Sequence, residues 1–298
     1  MSTKLALPGN LNGPLVGLAM KEMARRAMAS IARNRMSFEA TAKETVGKTE
    51  DFVTTADNEA QEIYLRTICE AFPTYGVIAE EDSLSIPCKE PGHDTFFTVD
   101  PLDGTKAFIR GQSHGIGTMI SLVVDGFLVA ACVGDVMTGE IYYFRPGSNK
   151  VHRFSWNDSL HTRLSIDATK PLAGQYVLLG DDPRNMSSMV EEITNPNRSG
   201  KAPVFKNIEV MGGSIGVRFA RLWKGEVGAI ILPPGRCTPW DWCPIAGISA
   251  KLGFVGVGFD GSAWRSFRLR PIKEVENLPN EVIILHKSRL KELIARMR

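Results

Sequence analysis

Residues 99–109 read VDPLDGTKAFI. The apolar run TFFTV at 95–99 predicts a buried strand that delivers two aspartates at its C-terminal end. Asp100 ends the regular pairing there, because Pro101 removes a backbone donor and fixes φ, and the turn leaves the Leu102 carbonyl free to point sideways. Three oxygen donors then stand in a row: Asp100, the Leu102 carbonyl and Asp103. Hard divalent cations such as Mg²⁺ take oxygens of this kind at about 2.1 Å in octahedral geometry. Gly104 can adopt a backbone conformation closed to other residues, and Thr105 suits the start of a short helix, KAFIRG, whose unpaired N–H groups favour phosphate. A polar turn with two solvated carboxylates is the plainer alternative. An EF-hand loop does not fit, since Pro101 takes an early position and Gly111 the twelfth.

Upstream, GVIA at 76–79 reads as a short strand ending at Glu80 and Glu81. Apolar positions at helical spacing predict one helix over 14–34 and a second that follows DFVTTAD (51–57) and is stopped by Pro73. Downstream, residues 116–144 contain three strand-like runs, with Asp125 and Gly126 favouring a tight hairpin turn. Beyond about residue 155 strands and helices alternate. Strands are expected at YVLLG, KNIEV, VGAIIL, GFVGVGF and EVIIL, and helices near 185–194, from Gly213 to Lys224, from near Trp240 and at the charged terminus SRLKELIARMR. The fold class is α/β in the broad α+β sense. An N-terminal lobe (1–155) of helices on a largely antiparallel sheet joins a C-terminal α/β lobe (156–298) with a mixed sheet. No repeat or low-complexity linker divides them, so the lobes are expected to share an interface as one catalytic unit.

A net charge of +2, with acids and bases mixed along 298 residues, leaves no nucleic-acid or membrane footprint, so a small-molecule partner is expected and neither of those is. Cys69, Cys88, Cys132, Cys237 and Cys243 show no CxxC spacing, which argues against a disulfide framework or a zinc site and fits a reducing cytoplasm. The first twenty residues lack a leader's pattern and no run of about 18 apolar residues occurs, giving the expectation of an unprocessed cytoplasmic protein.

Two further acidic stretches matter jointly with the first. IAEEDS at 78–83 sets Glu80 and Glu81 at a strand end, and PWDWCP at 239–244 sets Asp241 between two tryptophans at a helix start, where a simple N-cap is the alternative. AEED near 80, DPLDGT at 100–105 and WDWCP at 240–244, with DFVTTAD upstream, resemble in order and spacing the inositol monophosphatase family of Mg²⁺-dependent, lithium-sensitive phosphatases. The resemblance runs from about residue 48 to 251. It implies a layered α/β/α/β/α fold, a homodimer, and hydrolysis of a phosphate monoester with two or three Mg²⁺ per site. On that resemblance Glu80, Asp100 and the Leu102 carbonyl hold one metal, Asp100, Asp103 and Asp241 a second, and Asp57 with Glu80 a weaker third. It further implies that Thr105, paired with Asp57, orients and deprotonates a metal-bound water. Glu81 supports the shell, and the Gly104 and Thr105 amides grip the phosphate.

The substrate is less legible. Family members acting on inositol phosphates carry an acid several positions before the WD pair to receive sugar hydroxyls, but no acid lies between Glu226 and Asp241 here, and Ala79 replaces the glycine usual before the paired glutamates. TKAFIRG is similar to the histidinol-phosphate phosphatase branch and in part to the nucleotide bisphosphate branch. Lys106 and Arg110 are four apart and share a helical face; with Arg236 they could meet an anionic substrate, or be solvated charges. Ser214 and Ile215, in GGSIG, resemble the family's second substrate-contacting segment, or reflect close helix packing, and Asp103 is a further substrate-contact candidate. The expected substrate is inositol monophosphate or histidinol phosphate. The alternatives are a nucleotide or sugar bisphosphate, or a non-catalytic metal-binding relative. The histidines, His114 included, read as spectators.

Overall fold

The computed structural model describes residues 7–43, 51–156, 159–194, 204–260 and 263–296. The first six residues of the leader reading and the last two of the terminal helix, 297–298, lie outside them. Seven α-helices are present among the described residues: α1 (Gly13–Asn34), α2 (Thr55–Ala71), α3 (Thr105–Ile109), α4 (Ser188–Thr194), α5 (Ile215–Lys224), α6 (Pro239–Leu252) and α7 (Leu290–Arg296). A hairpin that the sequence pattern does not announce pairs β1 (Ala40–Lys43) with β2 (Asp51–Thr54). Eight strands form the first large sheet: β3 (Gly76–Ala79), β4 (Ser85–Ile86), β5 (Thr95–Asp103), β6 (Gly117–Val124), β7 (Phe127–Asp135), β8 (Glu140–Phe144), β9 (His152–Ser155) and β10 (Leu160–Arg163). Their order is β10-β9-β8-β7-β6-β5-β3-β4, antiparallel throughout except for β3 beside β5, and the sheet continues past residue 155. Asp125 and Gly126 turn β6 into β7 with φ of 49° and 77°, the signature of a primed hairpin turn.

The second sheet is mixed, ordered β12-β11-β13-β18-β15-β16. It comprises β11 (Tyr176–Leu179), β12 (Asn207–Val210), β13 (Ala229–Leu232), β15 (Phe254–Phe259), β16 (Trp264–Phe267) and β18 (Val282–His286), while β14 (Gly235–Cys237) pairs with β17 (Glu276–Leu278) outside it. Period-two alternation sorts the side chains into layers. Phe97 and Val99 of β5 join Met20, Met23, Ile31, Tyr64 and Ile68 of α1 and α2, whereas Phe96 faces the opposite core. There Phe96, Met119 and Val133 meet α5 and α6, whose far sides meet Leu178, Ile230 and Ile284 of the second sheet. Val177, Leu179, Ile231 and Ile283 cover α4 and α7 on the last face. The protein is thus an α/β/α/β/α sandwich. Helix α6 is buried on nearly all sides, as a helix between two sheets requires.

The motif strand departs from its expected course. β5 does not end at Asp100 but runs through Pro101 to Asp103. Asp100 stands opposite Met119 and Asp103 opposite Gly117, so Pro101 and Leu102 together face the single residue Thr118. This is a bulge, and it tolerates the proline because the extra residue is not paired. Thr118 fills in with its side chain: its hydroxyl donates to the Asp100 carbonyl (3.1 Å) and bonds the Tyr64 hydroxyl (2.8 Å).

Candidate active site

The bulge decides the geometry. In a regular strand residues three apart point to opposite faces; one inserted residue reverses that parity and lets Asp100 and Asp103 converge. Gly104 follows at φ 96°, and a Cβ on it would lie 2.3 Å from the Gly115 carbonyl oxygen and 2.7 Å from the Ser214 nitrogen. Glycine is needed there both for the backbone angle and for the approach of the C-terminal segment to the motif.

Asp103 is held by the start of α5. The Ile215 amide donates to Oδ1 (2.9 Å), the Gly216 amide to Oδ2 (2.7 Å), and the Ser214 hydroxyl to Oδ2. A helix N-terminus is where a carboxylate gains from the backbone dipoles. Asp241 is the third residue of α6, not its cap; Thr238 caps the helix and donates its hydroxyl to Asp241 Oδ2 (2.7 Å). One oxygen from each of Asp100, Asp103 and Asp241 lies within 4.8 Å of the others. Asp100 Oδ1 is buried without a hydrogen-bond partner, a cost a cation would remove.

A second group of side chains faces this triad. Asp57 sits in a capping box at the start of α2: the Thr54 amide (2.8 Å) and hydroxyl (2.5 Å) donate to its Oδ2. Its Oδ1 accepts from the Thr105 hydroxyl (3.0 Å), which also lies 3.2 Å from the Leu102 carbonyl. Gln61 clamps the Glu81 backbone, donating to its carbonyl (3.2 Å) and accepting from its amide (3.0 Å). Lys43, at the end of β1, places its ammonium 3.4 Å from Glu80 Oε1 and 2.9 Å from the Glu81 carboxylate.

So many buried acids resist ionisation together. Burial, then repulsion from Glu80, Asp103 and Asp241, raises Asp100 well above the usual carboxylate range. Burial and the nearby Asp241 push Glu80 up to about 8, against the pull of Lys43. Burial and Asp241 push Asp103 up to about 6, restrained by its bonds from Ser214, Gly216 and Ile215. Burial pushes Glu81 up to about 7, opposed by Lys43. A divalent cation held among them would offset that mutual penalty.

Beside the triad opens a cavity of about 330 Å³. Asp103, Asp241, Ile215, Arg218 and Trp242 line it with the turn at 232–237, which includes Arg236. A sequence profile described as the inositol monophosphatase family matches residues 16–298. The chain belongs to that family. Nus factor SuhB of Vibrio cholerae serotype O1 is 34% identical over 135 residues, 45% of this chain and 48% of that protein. The chain thus spans about half the length of the curated relative it matches. Among solved structures, the extragenic suppressor protein SuhB of Bartonella henselae superposes with a TM-score of 0.70 at 19% identity, covering 95% of this chain and 98% of that one. An IMPase/NADP phosphatase complexed with Mg²⁺ and phosphate gives 0.70 at 18%, covering 95% and 94%. At these identities the likeness is one of fold.

Within this inositol monophosphatase fold, the residues expected at the metals do meet: Asp100, Asp103 and Asp241 form the triad, and Glu80 is close enough to repel Asp100 and Asp241. Thr105 and Asp57 are hydrogen-bonded as expected. Ser214 and Ile215 present their hydroxyl and amide to Asp103, and Ser214 is fully buried. Lys106 and Arg110 are exposed on and just after α3, outside the cavity's lining, whereas Arg236 is in it. Sequence reading missed Thr54, Gln61, Lys43, Thr238 and Arg218. The T-x-x-D spacings of Thr54 with Asp57 and Thr238 with Asp241 were legible cap signals. Arg218, one of two arginines in the otherwise apolar stretch VRFARLW at 217–223, carried no motif to mark it.

Proposed function

We propose that the protein is a Mg²⁺-dependent phosphomonoesterase acting on a small alcohol phosphate. The observation that carries this reading is the triad of buried carboxylates with an orphaned oxygen, Asp100 Oδ1, at its centre. These donors fit hard cations. Glu80, Asp100 and the Leu102 carbonyl would hold one, Asp100, Asp103 and Asp241 a second, and Asp57 with Glu80 a weaker third. When bound, divalent cations supply neutralisation of the phosphate oxygens, acidification of a water and stabilisation of the leaving alkoxide.

The chain's own residues do the rest. The amides of Gly104 and Thr105 grip the phosphate at the head of α3. Thr105 Oγ1, donating to Asp57 Oδ1, turns its lone pairs to the attacking water, so a proton gained at Thr105 passes to Asp57. Glu81, fixed by Gln61 and Lys43, supports the acidic side of the site. A complete carboxylate set favours this reading over a non-catalytic metal-binding relative, and it carries with it lithium sensitivity, a homodimer and a cytoplasmic location. Among the described residues no helix is long and apolar enough to cross a membrane.

The test is phosphate release from p-nitrophenyl phosphate, inositol 1-phosphate and histidinol phosphate with Mg²⁺, with Mg²⁺ and Li⁺, and in EDTA. Turnover is expected only with Mg²⁺, and Asp241→Asn is expected to lose it by about 10³-fold or more while circular dichroism is unchanged. Equal activity in EDTA, or a fully active Asp241→Asn protein, overturns the proposal.

A further inference from the structure

The buried face of α2 carries three polar side chains in one stripe. Asp57, Gln61 and Tyr64 stand at positions i, i+4 and i+7 of a helix whose other buried positions are Ala56, Ala60 and Ile68. Each meets a different part of the acidic site. Asp57 accepts from the Thr105 hydroxyl, Gln61 clamps the Glu81 backbone from both sides, and Tyr64 reaches Thr118. The direction of that last contact follows from counting protons. Thr118 has one hydroxyl proton and donates it to the Asp100 carbonyl (3.1 Å), so the Tyr64 hydroxyl is the donor to Thr118 Oγ1 (2.8 Å). Both side chains are fully buried. A phenylalanine and a valine would fill the same volume without withdrawing two hydroxyls from water, so packing alone does not account for the pair.

We propose that Tyr64 and Thr118 are positioning residues that set the Asp100 carboxylate for a metal ion, with α2 as the template that fixes Asp100, Glu81 and Thr105 relative to one another. The inference rests on the phosphomonoesterase reading and deepens it. Asp100 needs such a device more than its partners do. Asp103 and Asp241 are gripped at the carboxylate by the starts of α5 and α6, whereas Asp100 Oδ1 has no hydrogen-bond partner. What holds Asp100 is the grip on its backbone. The bulge sets Pro101 and Leu102 against the single residue Thr118 and so interrupts the ladder, and the Thr118 hydroxyl takes the Asp100 carbonyl at that break. Leu102, whose carbonyl belongs to the expected donor set, lies in the same bulge. A bulge free to relax would therefore displace two ligands of one ion together. Tyr64 ties this point to α2, where about 10 Å of helical rise separates it from Asp57. Hydrogen-bonded partners behind the ligands orient a metal site as much as the ligands themselves do.

The experiment measures binding of Mn²⁺ alone to the full chain by electron paramagnetic resonance, with urea unfolding followed separately. Thr118→Val is expected to raise the Mn²⁺ dissociation constant by about 10- to 100-fold. Tyr64→Phe, one bond further from the ligand, is expected to raise it by about 2- to 10-fold, and carries the test if Thr118→Val does not fold. The double variant should lose little more than Thr118→Val alone, because Tyr64 acts through Thr118. Thr118→Ser keeps the hydroxyl and should bind as the wild type does. The control is Thr98→Val: Thr98 and Ser121 form another buried hydroxyl pair between the same two strands (2.7 Å), and its loss should lower stability while leaving the dissociation constant unchanged. A dissociation constant unmoved in both Thr118→Val and Tyr64→Phe, or raised equally in Thr98→Val, shows that the pair only stabilises the sheet and overturns the inference while the phosphomonoesterase reading stands. A wild-type chain that binds no Mn²⁺ overturns that reading, and the inference with it.

Discussion

The two walls of the cavity are built on opposite plans. On the acidic side three carboxylates are held in advance, leaving Asp100 Oδ1 without a donor: Asp103 by Ser214, Ile215 and Gly216, Asp57 by Thr54 and Thr105, Asp241 by Thr238. On the basic wall Arg218 and Arg236 make no ion pair among the described residues, and the turn between Leu232 and Cys237 presents little beyond backbone. Reaction chemistry needs fixed geometry, since sub-ångström placement of carboxylates sets how cations and water are held. Substrate choice needs only free groups of the right charge. The acidic side is therefore preset, and the basic side is left free.

That contrast can be broken first at Thr105. Thr105→Val keeps the shape and removes the hydroxyl between Asp57 and the water's place; kcat should fall by about 10²- to 10⁴-fold with Mg²⁺ affinity, followed by calorimetry, little changed. A smaller loss would mean that the Asp57–Thr105 pair is scaffolding. Next comes Gly104→Ala, which forces a Cβ against the Gly115 carbonyl and the Ser214 amide at a left-handed φ. Urea denaturation should show a loss of about 2–4 kcal/mol, and wild-type stability would show that the two lobes' approach is loose.

The acidic wall should also betray itself by pH. Its carboxylates bind protons more tightly folded than unfolded, so in EDTA the unfolded state releases protons first and stability falls as pH rises above the ordinary carboxylate range, the loss being complete once pH passes the folded values of Asp103, Glu81 and Glu80, about 6, 7 and 8. The melting temperature should therefore drop between pH 5 and 8.5 without metal and hold steady with Mg²⁺ present. A metal-free protein that gains stability over that range would contradict the crowding. The mildest effect is expected at the caps. Thr54→Val removes the hydroxyl that closes the α2 capping box and should cost about 1 kcal/mol in stability, read by the same denaturation series.

Much of the fold was written in periodicity. The run at 116–144, the Asp125-Gly126 turn and the alternation after residue 160 gave strands and helices close to their observed bounds, because each carries a local signal of spacing or turn chemistry. The β1–β2 hairpin was not legible, since ATAK and DFVT are short and mostly half-exposed or exposed, with no apolar face to reveal them. The acidic residues could be named from their motifs. Their partners could not, because Gln61, Lys43 and Arg218 act across the fold on groups with which they share no sequence pattern.

The sequence by itself determined that Asp100, Asp103 and Asp241 stand where strands and helices begin or end, since proline, glycine and threonine punctuate the chain beside them. Only the tertiary structure decided that they meet. A bulge opposite Thr118 reverses the parity of β5, bringing Asp100 and Asp103 to one side, and the starts of α5 and α6 are packed against them by the core between the two sheets. Helix α5 also carries Arg218 into the lining of the same cavity. Which groups face one another across an empty space depends on packing between distant segments, and no local pattern in the chain records it.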